Sequence, residues 1–234
     1  IQAITKKIYG AELLTSSEEI FYQKFTRDYG NNILTFMHYP GDGYKPYGAA
    51  YFSHYTFGSN LFFKNWDNDD LRKQNNFYKK DIALGDDTYL YKKFIDPNGY
   101  NNSPNDWPYY RYPEVLLIYA EADNRINKSP TSKAMEYLNM VHRRAYGYPS
   151  TQPSPVDFNI NDYNEESFFE LVLMEKAYET FFEAKRWFDL KRTNKTAQVI
   201  KQAFNIDMNI NMLFWPIPTG ELSYNKLMDQ NPGY

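Results

Sequence analysis

Aromatic rings and hydrogen-bonding side chains are interleaved between residues 39 and 66, a stretch that begins YPGDGYKPYGAAYF. A flat ring can cover the apolar face of a sugar, while carboxylates, amides or guanidinium groups beside it meet the hydroxyls. Rings on a loop are harder to explain as core than rings on a helix, although each could equally hold its loop in place. The candidate ligand contacts are Tyr39, Asp42, Tyr44, Tyr47, Tyr51 and Trp66, with Arg72 as a polar partner and Trp107 as a further ring.

Residues arranged for catalysis are scarce. The sequence holds no G-x-S-x-G, no phosphate-binding P-loop and no G-x-G-x-x-G. Asp67 and Asp69 form an acid pair, but a glycosidase needs two acids that flank a cleft, and neighbours in a loop do not provide that geometry. None of the histidines has the spacing of metal ligands: His38, His54 and His142. The sequence therefore predicts a non-enzyme without cofactor or metal.

Composition narrows the classes of partner. The 234 residues carry a formal charge of −3, so the chain lacks the positive field that draws proteins to phosphate backbones, and nucleic acid is not expected as a partner. Cysteine is absent, which removes disulfides, thiolate nucleophiles and cysteine-based zinc sites. No apolar run approaches the roughly 18 residues of a membrane helix.

The stretch FFEAKRWFDLKR, residues 181–192, carries four rings and four cations. Apolar residues around it recur every three or four positions, which is typical of one buried helix face. Glu183 with Arg186, and Arg186 with Asp189, lie within helical ion-pair reach. We therefore predict a long amphipathic helix, or a broken helix pair, over residues 164–194. The predicted buried stripe consists of Leu171, Met174, Ala177, Phe181, Ala184 and Phe188, widened by Phe182 and Trp187.

The sequence pattern changes near residue 110. Before it, short β-rich segments at 18–26 and 87–96 predict strands, and residues 28–60 predict a long ordered loop. After it, helical spacing predicts helices over 111–126 and 131–147 that pair as an αα-hairpin. The predicted buried faces are Val115, Ile118, Ala122 and Ile126, with Leu116 and Tyr119 beside them, on the first helix, and Ala134, Leu138, Val141 and Ala145 on the second.

Four segments in order carry a resemblance to a known family: RYPEVLLIYAEA, LNMVHRRA, EKAYETFFEAKRWFDLKR and the terminal LFWPIPTGELSYNKLMDQNPGY. Together they resemble the C-terminal half of a SusD/RagB-family protein, and the likeness covers nearly the whole chain. It implies a mainly α fold, an α-α superhelix of tetratricopeptide-like hairpins with long irregular loops and a few short strands. Residues 1–109 would be the loop-rich, ligand-facing part and residues 110–234 the helical scaffold and C-terminal tail, with the family's N-terminal repeats absent.

The resemblance also implies a function. Family members are non-catalytic proteins that capture glycans and pass them to a TonB-dependent, SusC-like transporter in the outer membrane. They sit on the extracellular face of that membrane through a lipid anchor, which here would lie outside the chain. Two alternatives remain open at this point: capture of peptides or another nutrient by the same architecture, and a helical scaffold that serves only protein interaction.

Overall fold

The computed structural model of the chain describes Tyr9 and residues 15–30, 54–96 and 103–234, and in these ranges the fold is mainly α with a few short strands, as the sequence predicts. The strands are β1 (Glu19–Gln23), β2 (Tyr55–Phe57), β3 (Phe77–Lys79), β4 (Thr88–Tyr91) and β5 (Trp107–Arg111). The helices are α1 (Leu61–Asn65), α2 (Leu71–Asn76), α3 (Tyr112–Asn127), α4 (Ser132–Ala145), α5 (Glu165–Glu179), α6 (Arg186–Arg192), α7 (Thr196–Phe204) and α8 (Thr219–Tyr224), with 3-10 turns at Ile160–Asp162 and Ile210–Leu213. The chain divides into two compact units, residues 1–186 and residues 187–234.

The strands of the first unit form two small antiparallel sheets. β1 pairs with β5 as a two-stranded ribbon, and β4 lies between β2 and β3 in a three-stranded sheet. Both predicted strands form over fewer residues than predicted. β4 ends at Tyr91 because the chain soon turns away at Phe94, whose φ of 65° is a left-handed conformation that cannot continue a strand.

Three helices enclose the main apolar core. α3 packs against α4 and α5, and the side chains between them are fully or almost fully buried. The predicted face of α4 is confirmed, since Ala134, Leu138, Val141 and Ala145 are all buried. The core cluster comprises Leu116, Leu117, Ala120, Ala134, Met135, Leu138, Val141, Phe168 and Val172.

The predicted face of α3 is mostly wrong, although Leu116 is buried as predicted and Tyr119 is half-buried. Val115 and Ile118 are exposed, and Ile126 is 79% exposed, whereas Leu117 and Ala120 on another side of the helix are buried. α3 carries apolar residues on both sides, so spacing alone does not decide which side meets α4 and α5.

The turn between α3 and α4 offers a test of helix capping. Thr131 is the N-cap of α4, and its hydroxyl oxygen accepts a hydrogen bond of 3.1 Å from the backbone N–H of Ala134 while donating to Asp123. We expect Thr131→Ala to lower the free energy of unfolding by about 1 kcal/mol, because one N–H in the first turn loses its partner. Urea denaturation measures the change, and Thr131→Ser, which keeps the hydroxyl, should restore most of it. Equal losses in both variants would contradict the cap.

The predicted helix over 164–194 is a broken pair. α5 ends at Glu179, and α6 starts at Arg186 after a turn in which Phe182 and Ala184 have φ of 61° and 58°. Left-handed residues interrupt the helical period, so the predicted buried stripe does not continue across the break. Ala177 is buried, whereas Ala184, Trp187 and Phe188 are exposed, Phe188 to 68%, which corrects the prediction for those three residues.

The second unit holds α7, α8 and the C-terminal tail. The Gln230 side chain accepts from the Ile217 N–H at 2.7 Å and donates to the Ile217 carbonyl at 2.9 Å. Asn231 Nδ2 donates to the carbonyl of Trp215 at 2.6 Å. Two amide side chains therefore close the tail into a loop. In the described ranges of the chain, no helix is both long and apolar enough to cross a membrane.

Candidate ligand-binding surface and the buried ion-pair network

A network of ion pairs is buried where β5, α4 and α5 meet. Arg111, the last residue of β5 and the N-cap of α3, is fully buried and places Nη1 2.8 Å from Oε1 of Glu179. Arg144 in the last turn of α4 pairs with the same carboxylate and with Glu18 at 3.0 Å. Arg72 on α2 reaches Glu179 at 3.4 Å. One carboxylate at the end of α5 thus joins three guanidinium groups from three helices or strands.

Glu183 is a second centre of the network, inside the turn between α5 and α6. Its carboxylate accepts from Arg111 Nη2 at 2.8 Å and from Lys93 Nζ at 2.6 Å. The hydroxyl of Tyr9 donates to Glu183 at 3.2 Å, and the Lys93 ammonium lies 4.1 Å from the centre of the Tyr9 ring. These partners hold the turn in its left-handed conformation, which isolated Phe and Ala residues disfavour.

The network shifts the pKa values of its members. Burial alone would raise the pKa of Glu175, but the Arg72 guanidinium and the hydrogen bond with His142 lower it to about 2. The pKa values of Glu179 and Glu183 are likewise lowered, since their arginine neighbours outweigh burial. Burial lowers the pKa of Lys93 to about 8 despite its contact with Glu183. These carboxylates are therefore ionised at neutral pH and act as fixed anions of the core.

The predicted contact Trp66 belongs to a buried aromatic cluster. Its indole is 1% exposed, stacks on Tyr178 with ring centres 4.7 Å apart, and donates from Nε1 to Asp70 at 2.8 Å. Phe77 and Phe181 pack edge-on against it. No ring face is left for a sugar, so Trp66 is a core residue and its assignment as a ligand contact is corrected.

The assignment of Arg72 as a polar partner of the ligand is corrected for a related reason. The side chain is buried, and its guanidinium hydrogen-bonds to Asp70 at 2.7 Å and to Glu175 at 2.6 Å. A cation held by several buried carboxylates is not available to ligand hydroxyls. Arg72 instead links α2 to α5.

A second group of rings is partly open to solvent and forms the candidate ligand-binding surface. It consists of His54, Tyr91, Phe94, Trp107 and Phe182, and is here called the aromatic platform. Phe182 lies 5.3 Å from His54 and 5.2 Å from Tyr91, and Phe94 stacks on Trp107 at 5.5 Å with planes 23° apart. His54 is exposed, Phe94 is buried beneath, and the other three rings are half-buried.

The platform and the core share the turn that follows α5. Phe181 packs into the buried cluster, 4.9 Å from Phe77, whereas the adjacent Phe182 packs against the platform rings. Lys93 Nζ donates to the Phe181 carbonyl at 2.8 Å, so the ion-pair network fixes the backbone between the two rings. The start of FFEAKRWFDLKR, residues 181–183, therefore contributes to both the scaffold and the candidate surface.

The platform can stack on a planar or flat apolar ligand face and offers hydrogen-bonding groups beside it. Burial raises the pKa of Tyr91 to about 12, and its hydroxyl, like that of any tyrosine at neutral pH, is protonated and able to donate. The described part of the chain has no group of three His, Cys, Asp or Glu side chains placed to hold a metal ion.

Sequence reasoning placed only part of this surface. Trp107 is on the platform, but Tyr39, Asp42, Tyr44, Tyr47 and Tyr51 lie outside the described residues and stay predictions. The sequence does not predict His54, Tyr91 or Phe182 as ligand contacts, and it predicts Phe182 as part of a buried helix stripe. The signal available for Tyr91 was the alternation of DTYLYKKFID, whereas nothing local marks Phe182, because its position depends on the break after α5.

Comparison with known proteins agrees with the fold and the motifs. The SusD family model matches residues 12–234. The chain belongs to the SusD family. Among curated SusD relatives, SusD-like protein P2 of Formosa agariphila is 36% identical over 153 residues, which is 62% of this chain and 29% of that protein.

Solved SusD structures share the fold. A SusD superfamily protein from Parabacteroides distasonis superposes with a TM-score of 0.72 at 22% identity, covering 98% of this chain and 52% of that one. Surface glycan-binding protein A from Bacteroides thetaiotaomicron gives 0.68 at 20% identity, covering 92% and 52%. The chain therefore spans about half the length of these structures and less than a third of the curated relative.

Proposed function

We propose that this SusD-family chain captures glycans without chemically altering them. The observation that carries the proposal is the aromatic platform, in which Trp107, Tyr91 and Phe182 are half-buried rings held in place from behind by Phe94 and the buried ion pairs. Fixed rings suit sugars, because stacking on a preorganised surface avoids the entropic cost of ordering it. The name of the structural neighbour from Bacteroides thetaiotaomicron, a surface glycan-binding protein, supports the same ligand class.

The remaining parts of the proposal rest on family membership. SusD-family proteins are binding proteins rather than enzymes, and we propose that this chain hands its glycan to a SusC-like, TonB-dependent transporter. The site of action would be the extracellular face of the outer membrane, with attachment through a lipid anchor. The formal charge of −3 gives no support to nucleic acid as a partner.

A panel of soluble polysaccharides tests the ligand class. The protein is run in affinity electrophoresis through gels that contain starch, xylan, pectin, laminarin, alginate or chondroitin sulfate, and its mobility is compared with that of serum albumin. Selective retardation by at least one glycan is the expected result. Unchanged mobility in every gel, together with binding of a casein peptide digest in calorimetry, would replace glycan capture by peptide capture.

Trp107→Ala tests the platform itself. We expect the dissociation constant for the retained glycan to rise about tenfold, because removing one stacking ring costs on the order of 1.4 kcal/mol. Isothermal titration calorimetry measures the change. Tyr148→Ala is the matched control, since Tyr148 is 40% exposed at the end of α4 and is not among the platform rings. Equal affinities of the Trp107 variant and the control would exclude Trp107 as a contact.

A further inference from the structure

Two rings stack in the open on the β1–β5 ribbon. Phe21 is 56% exposed and Tyr109 is 43% exposed, and their ring centres lie 5.1 Å apart with planes 24° from parallel. The Tyr109 hydroxyl donates to Oε1 of Gln23 at 3.1 Å, which fixes the orientation of the tyrosine ring. Large apolar side chains grouped at the surface and rimmed by polar groups commonly mark a contact site.

The hydrogen-bonded pairing of β1 with β5 is interrupted at Tyr109. Phe21 lies opposite Tyr110 and Tyr22 lies opposite Pro108, so Tyr109 has no cross-strand partner in the register. Tyr109 and the next residue, Tyr110, are both exposed at this interruption. Bulges of this kind re-aim a side chain and are frequent next to functional sites.

The backbone of the bulge is held from a second direction. Lys185, which follows the left-handed Ala184, donates from Nζ to the Tyr109 carbonyl at 2.8 Å. The same ammonium pairs with Glu114 and lies 5.4 Å from the centre of the Tyr110 ring. The exposed stack is therefore fixed by the turn after α5 as well as by its own strands, and binding would not have to order it.

The polar groups around the stack favour a neutral, hydroxyl-bearing ligand. Within the described part of the chain, Gln23 Nε2 donates no hydrogen bond, so the amide has N–H groups to offer beside the rings. Lys24, the residue after β1, is paired with Glu19 at 2.7 Å and with Asp106 at 2.8 Å. Flat rings beside an amide and a phenol match sugars, whereas a charged peptide would find these ionic groups already paired.

The stack also adjoins the platform along the chain. Trp107 of the platform and Tyr109 are two residues apart on β5, roughly 7 Å along a strand. We propose that Phe21, Tyr109 and Gln23 form a second glycan contact that binds further sugar units of a chain seated on the platform. This inference rests on the proposed function. It extends the glycan-binding surface from the platform alone to a longer site that holds an elongated oligosaccharide.

The test uses the whole protein and the glycan that affinity electrophoresis identifies. We expect Phe21→Ala/Tyr109→Ala to raise the dissociation constant for long oligosaccharides of that glycan about tenfold and to leave its shortest bound oligosaccharide unaffected. Tyr109→Leu, which keeps bulk without a flat ring, should show the same dependence on length. Melting temperatures report folding, and Tyr148→Ala serves again as the control.

The outcomes separate the ribbon site from the proposed function. If the Phe21 and Tyr109 variants bind oligosaccharides of every length as tightly as the wild type, the proposed contact on the β1–β5 ribbon is overturned, and the proposed function is not. No retardation by any of the six polysaccharides overturns both. If the wild type binds the casein digest instead of a glycan and the ribbon variants lose that binding, the assignment to glycans is overturned. The ribbon would then be a peptide site.

Discussion

Arg111→Met is expected to lower the free energy of unfolding by about 3–5 kcal/mol, because it breaks buried ion pairs. The side chain is fully buried and its guanidinium contacts Glu179 at 2.8 Å and Glu183 at 2.8 Å and 3.1 Å. Removing the cation takes away the one arginine that both carboxylates share, and breaking buried ion pairs costs far more than losing a surface pair.

Urea denaturation at pH 7 measures the effect of the Arg111 substitution. Lys128→Met is the matched control, because Lys128 is exposed and pairs with Glu165 at 3.4 Å near the surface, where an ion pair contributes only about 0–1 kcal/mol. A loss below about 1 kcal/mol for Arg111→Met, equal to that of the control, would show that the network does not stabilise the fold.

Acid is expected to destabilise the protein strongly between about pH 5 and pH 2. The pKa values of Glu175, Glu179 and Glu183 are lowered in the folded state, to about 2 for Glu175. A carboxylate with a depressed folded pKa stabilises the fold above its unfolded pKa, and this contribution is lost as the pH falls through the folded pKa. For Glu175 the contribution is on the order of 3 kcal/mol.

Glu175→Gln isolates one of these titrations. At pH 7 the variant should be less stable than the wild type, and the difference should narrow as the pH falls from about 5 to 2, because the wild-type carboxylate then becomes neutral as well. Chemical denaturation at several pH values measures the two curves. Glu166→Gln, at an exposed position on α5, should give a curve parallel to wild type. A constant gap between the Glu175 variant and the wild type would contradict the assigned pKa.

The sequence predicts the helical elements well where one face alone is apolar. α4 buries the apolar residues that spacing predicts, together with Arg143 and Arg144, whose charges are paired. α3 is apolar on two sides, and its contacts are decided by α4 and α5. The break after α5 contains neither glycine nor proline, and the left-handed Phe182 is held by ion pairs of its neighbour Glu183. No local propensity predicts such a turn.

The partners of the buried charges are also not predictable from the sequence. Helical spacing pairs Glu183 with Arg186, but the carboxylate of Glu183 contacts Lys93 and Arg111, which are 90 and 72 residues away in the chain. Trp66 and Arg72 resemble ligand-binding residues by type and by their position in a polar segment, and only packing shows that they are core. Contacts between residues so far apart in the chain depend on the topology of the fold. Residue spacing within one segment does not predict them.

The central claim is that this SusD-family chain binds glycan on the rings around Trp107. The most direct measurement is a crystal structure of the protein with an oligosaccharide of the glycan that retards it in affinity electrophoresis. The expected result is a sugar ring in van der Waals contact with Trp107, Tyr91 or Phe182, with further units running toward Tyr109. An oligosaccharide bound elsewhere, with the platform and the ribbon free of sugar, would contradict the claim.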